Sequence, residues 1–181
     1  MAYSTTDDPS AYFKVQLYTG DGGTTQAITF NDTDTNMQPD WVWIKMRSEA
    51  QSHILVDSVR GANKYLGANH TGADGTDINS VTVFGSDGFT VGNDDSVNKN
   101  TGTYVSWNWK ETATAGFDIV SYTGNATGRT ISHSLSAVPK WIIVKNRSSS
   151  ENWIVYHVSV GNSKRVGLNQ TNAESSTAQS W

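Results

Sequence analysis

The sequence predicts an all-β protein, an antiparallel β-sandwich or jelly roll built as one complete unit followed by a second, incomplete copy. Roughly eight runs of about four to eight residues alternate apolar and polar side chains, and clusters of Gly, Asp, Asn and Ser separate them. No segment combines a helical apolar period with capping residues. The chain also repeats itself at a spacing close to the size of a small domain.

The repeat is clearest in residues 41–47 (WVWIKMR) and 141–147 (WIIVKNR), which are offset by 100 positions (141 − 41). Upstream, residues 13–20 correspond to residues 117–124 at an offset of 104 (117 − 13). The extra length of the first copy falls in the polar stretch at residues 31–36, where a loop tolerates insertion. A repeat that keeps its apolar strands and varies its loop predicts two copies of one fold.

The first predicted strands set two apolar faces. In residues 12–19 the alternation places Phe13, Val15 and Leu17 on the core face and the polar positions on the other. A short strand is predicted at residues 26–30. In residues 41–47 the core face is Val42, Ile44 and Met46, and the opposite face is Trp41, Trp43, Lys45 and Arg47. That opposite face begins aromatic and ends basic, so we expect it to be covered at one end only.

The remaining predicted strands complete the first unit. They are residues 53–59, residues 64–66, a hairpin of residues 81–84 and 88–92, and residues 104–110 with Val105, Trp107 and Trp109 inward. The predicted organisation is an N-terminal arm at 1–10, a first unit at 11–112 and a second unit at 116–181. The second unit lacks a counterpart of residues 81–110, so continuing chain or another subunit is expected to complete it.

Composition excludes several classes of protein. The chain has no cysteine, which gives no support for disulfides or for secretion through an oxidising compartment. Its start is polar and acidic, unlike a signal peptide, and no apolar run is long enough for membrane insertion. The net charge is −4 with scattered Lys and Arg, so no nucleic acid is expected as a partner. Abundant Gly, Ser, Thr and Asn with 7 Trp are typical of a β-rich extracellular or virion protein.

The sequence predicts a protein that is not an enzyme and that has no cofactor. None of the four glutamates is expected to pair with another acid along a strand face, as a glycosidase would require, and no nucleophile, phosphate or zinc motif is present. Asp32, Asp34 and Asn36 space their oxygen atoms as a calcium loop does, but they lack the glycine and distal glutamate of an EF-hand. An Asx-turn loop is the competing interpretation.

Aromatic residues are the candidates for binding. Trp41 recurs as Trp141, and Trp107 and Trp109 alternate as core residues do, so packing explains them. Trp43 corresponds to Ile143, and Trp153 corresponds to His53. Aromatics that are not repeated are candidates for an interface or for stacking on a glycan. The candidate binding residues are Trp43, Tyr65 and Trp153.

With these residues in view, the chain resembles uncharacterised tail-fibre or appendage virion proteins of marine and cyanobacterial phages. The resemblance covers nearly the whole chain and rests on residues 8–13 (DPSAYF), 17–20 (LYTG), 39–45 (PDWVWIK), 57–61 (DSVRG), 86–92 (SDGFTVG) and 104–110 (YVSWNWK). It implies repeated concanavalin A-like or SPRY-like sandwich units. It also implies a structural protein of the bacteriophage virion, made in the host cytoplasm and located in a tail appendage.

The resemblance gives a functional expectation. The N-terminal part would attach to other virion proteins (tail, adaptor or neighbouring fibre subunits), and the repeats would support attachment to the host surface. By analogy with fibres, a homo-oligomer such as a trimer is expected. The alternatives are a lectin-like module that binds a host surface glycan and a capsid decoration protein.

Overall fold

The computed structural model describes residues 7–176, which form thirteen short strands and one short helix. The strands are β1 (Phe13–Thr19), β2 (Gln26–Thr29), β3 (Trp41–Met46), β4 (Ile54–Asp57), β5 (Lys64–Gly67), β6 (Gly75–Thr76), β7 (Val81–Gly85), β8 (Gly88–Val91), β9 (Thr103–Trp109), β10 (Trp141–Val144), β11 (Ile154–His157), β12 (Lys164–Gly167) and β13 (Ser175–Ser176). The helix, α1, is Asp95–Asn98. A 3-10 turn at Pro9–Ala11 precedes β1. Most of the predicted arm lies outside the described residues.

All strands pair antiparallel, and they form three sheets. One has six strands in the order β1-β9-β3-β4-β5-β6, one has three in the order β2-β8-β7, and one has four in the order β10-β11-β12-β13. The first two enclose a hydrophobic cluster, which confirms the predicted all-β sandwich. The third, called here the C-terminal sheet, repeats the pairing of β3 to β6. Trp141 lies opposite His157 just as Trp41 lies opposite Asp57.

The core of the sandwich follows the predicted inner face of β3. Val42, Ile44 and Met46 are buried against the three-stranded sheet, whose Phe89 and Val91 belong to the same cluster. Burying an aliphatic side chain of this size stabilises a fold by about 1.5–3 kcal/mol. The rest of the cluster comes mainly from β2, β4, β7 and the residues around α1.

The predicted orientation of β1 is wrong. Phe13, Val15 and Leu17 are 40%, 50% and 55% exposed, whereas Lys14 and Gln16 point inward and are 4% and 6% exposed. The inward polar groups are tolerated because each has a partner. The Lys14 ammonium lies 2.6 Å from the Asp32 carboxylate and 3.7 Å from that of Asp87. The Gln16 amide donates to the Leu17 carbonyl and accepts from the backbone N–H of Asn31.

The predicted orientation of β9 is also wrong, because β9 pairs with β1 and shares its faces. Tyr104, Ser106 and Asn108 are fully buried, and the half-buried Val105, Trp107 and Trp109 lie on the opposite face. β9 is the neighbour of β1, with Val15 opposite Trp107, and directly paired residues share a face. The Asn108 amide donates to the Lys14 carbonyl and to the Ser106 hydroxyl, which holds the inward polar row together.

Two loops contain more regular structure than the sequence predicts. The polar loop at residues 93–102 contains α1, whose N-cap Asp94 accepts from the Ser96 N–H. The loop at residues 69–79 contains β6, which pairs with β5. A single helical turn carries no apolar period, so periodicity could not detect it. Within residues 7–176 no helix is long and apolar enough to cross a membrane.

Residues 117–124, the sequence counterpart of residues 13–20, form no strand. In the first unit β1 pairs with β9 alone, and β9 lies between β1 and β3. The described part of the C-terminal sheet has no strand in the place of β9, so residues 117–124 lack the neighbour that β1 has, and Phe117 makes only a single antiparallel bridge, with Thr112. Phe117 instead stacks on Trp109 and contacts Trp41 edge-on.

Candidate functional site: the outer face of the six-stranded sheet

The face of the six-stranded sheet that points away from the sandwich core is mostly apolar, and we call it the outer face. Its central row runs across five strands in register, and its other rows begin at Phe13 and Leu17. The central row consists of Val15, Trp107, Trp43, Leu55 and Leu66. Aromatic and aliphatic neighbours in such rows stabilise a sheet, and here they also make one continuous apolar surface.

One part of the outer face is uncovered. Phe13, Val15 and Leu17 of β1 are each at least 40% exposed and lie in one line beside the half-buried Val105 and Trp107 of β9. Scattered exposed apolar residues are ordinary, whereas a contiguous apolar row is a candidate surface for a partner. This row, which we call the open strip, is the strongest candidate contact surface of the first unit.

The other part of the outer face is covered by the C-terminal sheet. A second hydrophobic cluster forms there around Trp153, which is 2% exposed and buried with Leu55, Leu66 and Ala68. The Trp153 indole N–H donates to the carbonyl of Gly67 at 3.0 Å. The remaining members pack against this cluster and are Trp41, Trp43, Ile143 and Leu168. The six-stranded sheet therefore lies between two separate apolar interiors.

Polar contacts surround this second cluster. The Lys145 ammonium donates to the Thr71 carbonyl at 3.1 Å, and the Glu151 N–H donates to the same oxygen at 3.0 Å. The Arg147 guanidinium lies 3.0 Å from the Asp74 carboxylate. Asp74 also binds Arg60 at 2.9 Å. One carboxylate thus joins an arginine of the first unit to an arginine of the C-terminal sheet.

The buried ion pair of Arg60 explains how the Asp74 side of this contact is held in place. The Arg60 guanidinium contacts the Asp57 carboxylate at 2.5 Å, and both side chains are 4% exposed. The guanidinium also donates to the Leu55 carbonyl. Because a charge buried this deeply is stable only when paired and hydrogen-bonded, the network fixes the loop that carries Asp74. Sequence reasoning missed Arg60 and Asp74, since their spacing carries no recognisable motif.

Two of the three predicted binding residues, Trp43 and Trp153, come together at the contact between the sheets, and Tyr65 lies apart from them. Trp153 is an interface aromatic inside the chain, and its burial leaves no ring face for a sugar. Trp43 is half-buried at the same contact, and its indole N–H donates to His53 Nδ1 at 3.0 Å. Tyr65 packs against the core cluster on the other side of the sheet. The repeat mismatch at Trp153 and His53 was the sequence signal that marked the contact.

The predicted calcium loop does not fit a cation. The Asp32 carboxylate is bound by the Lys14 ammonium at 2.6 Å, which places a positive charge where a calcium ion would have to lie. Residues 31–36 are exposed, and no three His, Cys, Asp or Glu side chains within residues 7–176 are grouped to hold a metal ion. These residues instead support the first unit, because Asp32 neutralises the inward lysine.

Glu111 and Asp118 form a carboxyl pair that sequence reasoning missed. Burial and the neighbouring Asp118 raise the pKa of Glu111. Burial alone would also raise the pKa of Asp118, but hydrogen bonds from Glu111 and from the Ser134 N–H outweigh it and lower that pKa. The Glu111 carboxylate also accepts from the Ile119 N–H at 3.2 Å. The pair ties the linker to residues 117–124.

A shallow groove lies on the other side of the C-terminal sheet. It is lined by Val144, Asn146, Glu151, Asn152, Ile154 and Arg165. Within this lining Glu151 is the only carboxylate, so the groove does not present two facing acids.

Comparison with known proteins gives one match. A family model described as a domain of unknown function (DUF7483) matches residues 8–181. No curated protein and no solved structure matches the chain.

Proposed function

The chain belongs to the DUF7483 family, and we propose that the protein is a non-enzymatic structural component of a phage virion, a tail fibre or similar appendage. In this proposal the N-terminal part attaches to the particle, and the sheets stack and adhere through their faces. The resemblance in residues 8–13, 39–45 and 104–110 supports the virion location. The geometry supports the mode of action.

The observation that carries the proposal is the double use of the outer face. The C-terminal sheet covers the part of it around Leu55 and Leu66 through buried apolar contacts, and the open strip continues the same surface toward solvent. A module whose sheets already join by their faces has the chemistry to join a neighbour in the same way. Aromatic and aliphatic contacts of this kind give adhesion without a reaction.

Gold-labelled antibody on intact particles of the source phage tests the location. The proposal expects label at the tail appendages, and a particle without label would contradict it. Label over the head would favour the capsid decoration alternative. Deleting residues 1–10 should prevent incorporation into particles while the purified protein keeps its far-ultraviolet circular dichroism, because the deleted residues precede β1.

A surface variant tests the mode of action. Val15→Ser with Leu17→Ser makes the open strip polar and should reduce the binding of the protein to its virion neighbour or host cells. Val138→Ser is the matched control, because Val138 is also exposed but lies outside the outer face. Equal binding by both variants would refute a role for the strip.

A glycan array distinguishes the lectin-like alternative. The alternative requires an exposed aromatic ring, and Trp141, which is 55% exposed, offers one. Binding to a glycan that Trp141→Ala abolishes would favour that alternative over the appendage proposal.

A further inference from the structure

The contact between the C-terminal sheet and the first unit joins two different surfaces. The donor surface is Lys145, Arg147 and Trp153, and it binds an acceptor surface made of Gly67, Thr71 and Asp74. Two of its bonds end on backbone carbonyls, and the third is an ion pair of 3.0 Å. In these three bonds one surface supplies the donors and the positive charge, and the other supplies the acceptors and the negative charge.

Both surfaces recur at the offset of 100 residues. Lys45, Arg47 and His53 correspond to the donor surface, and Gly167, Thr171 and Glu174 correspond to the acceptor surface. Each basic residue, the threonine, the glycine and the acidic charge are therefore present twice. Only the indole is replaced, by an imidazole.

The recurring surfaces have the local geometry of the originals. The Lys45 ammonium donates to the Met46 and Glu49 carbonyls, as Lys145 donates to those of Asn146 and Ser149. The same correspondence holds at donor position 53/153 and at acceptor position 67/167. His53 N–H donates to Asn69 Oδ1 as Trp153 N–H donates to Asn169 Oδ1, and Gln170 N–H donates to the Gly167 carbonyl as His70 N–H donates to that of Gly67.

The recurring surfaces do not bind each other. A two-fold contact would place Arg47 on Glu174 and Lys45 on the Thr171 carbonyl. Instead, within the described part of the chain, Arg47 is exposed and makes no ion pair, and Glu174 binds the exposed Lys164. The polar bonds of the contact therefore use the donor surface of one copy and the acceptor surface of the other, and among the described residues the recurring donor and acceptor make no bonds to each other.

His53 has the chemistry to act as Trp153 does. Its Nδ1 accepts from the Trp43 indole, so the neutral ring carries its proton on Nε2 and can donate to a carbonyl. Burial, with Lys45 nearby, lowers the pKa of His53 and keeps the ring neutral near pH 7.

We infer that a second copy of this chain docks head-to-tail, with its Lys45, Arg47 and His53 bound to the Gly167, Thr171 and Glu174 surface of the first. Arg47 would bind Glu174 as Arg147 binds Asp74, and His53 would donate to the Gly167 carbonyl. The contact does not depend on the proposed virion location, because purified chains are sufficient to form it.

Charge reversal tests the assignment by sedimentation equilibrium at pH 7.5. Wild-type protein should associate, and Arg47→Glu alone should weaken the association about tenfold or more, because a reversed charge at an interface repels its former partner. Glu174→Lys alone should do the same. In a mixture, the Arg47→Glu chain should regain association with the Glu174→Lys chain. Arg129→Glu is the matched control, an exposed arginine outside both surfaces, and should associate like wild type.

Three outcomes would overturn the inference. They are a wild-type protein that stays monomeric up to about 1 mM, an Arg47→Glu variant that associates as tightly as the control, and a mixture of the two reversed chains that does not regain association. Arg47 is exposed and Glu174 lies in an exposed pair, so both variants are expected to fold, which circular dichroism checks.

Discussion

Replacing Trp153 by alanine should release the C-terminal sheet from the outer face and leave the sandwich core folded. Trp153 is 2% exposed, so nearly the full cost of truncating a buried aromatic applies, about 3–5 kcal/mol. Losing the hydrogen bond to the Gly67 carbonyl adds about 1 kcal/mol. Because the two apolar clusters share no side chain, this loss should destabilise one contact and not the other.

Hydrogen exchange measured by mass spectrometry follows each cluster separately. In the Trp153→Ala variant, residues 141–144 and 154–157 should lose protection, while residues 42–46 and 104–108 keep it. Two variants serve as controls. Trp141→Ala removes the same ring from an exposed position and should change little, since Trp141 is 55% exposed. Trp153→Phe keeps most of the apolar area and should cost only about 1–2 kcal/mol.

Two results would refute this reasoning. If Trp153→Ala left the protection of residues 141–144 and 154–157 unchanged, the buried indole would not hold the sheets together. If the protection of the sandwich core fell to the same extent, the two clusters would unfold as one cooperative unit and their separation would have no energetic meaning.

Further predictions concern single residues of the first unit. Acidification from pH 7.5 to 5 should reduce the free energy of unfolding, measured in urea, more for wild type than for His53→Gln. Because the folded-state pKa of His53 is lowered, the stability that the neutral ring contributes is complete above the ordinary pKa of 6.5. That stability is lost as the pH falls toward the lower folded pKa, where the ring is protonated and the hydrogen bond from Trp43 breaks. An equal pH dependence in both proteins would contradict the role of this imidazole. Lys14→Ala should cost roughly 2–3 kcal/mol in the same assay, less than fully buried pairs lose because the partner carboxylate is partly exposed, and Lys14→Met should recover the packing share of that loss. Leu17→Ser should cost less than about 0.5 kcal/mol, since the side chain is 55% exposed; a loss near 2 kcal/mol would mean that the strand is turned the other way.

The sequence was sufficient for the fold class and for the inner face of β3, but not for the orientation of β1. Alternation divides a strand into two faces and does not say which one is inside. In β3 the aliphatic face could be distinguished from a face that ends in Lys45 and Arg47. In β1 the apolar face lies outside. The sequence could not show this, because the inward Lys14 is stabilised by Asp32, which comes close to it only in the folded chain.

The sequence singled out one residue of the contact between the sheets but did not predict the contact itself. The repeat singled out Trp153 because residue 53 is a histidine, and the structure places that indole at the centre of the second cluster. The polar partners could not be predicted, since Asp74 and Arg147 are 73 residues apart in the chain. Nothing local in either loop indicates that one carboxylate would serve two arginines.

β4 lies in the middle of this arrangement and has no side chain facing water. Ile54 and Val56 enter the sandwich core, Leu55 enters the second cluster, and Asp57 holds Arg60. Packing inside the chain restricts sequence change at every position of such a segment, whereas the outer side of β1 is restricted only by the partner proposed for the open strip. Among natural variants of this protein, residues 54–57 should therefore change least, and a change at any of them should come with a compensating change in the layer that its side chain enters.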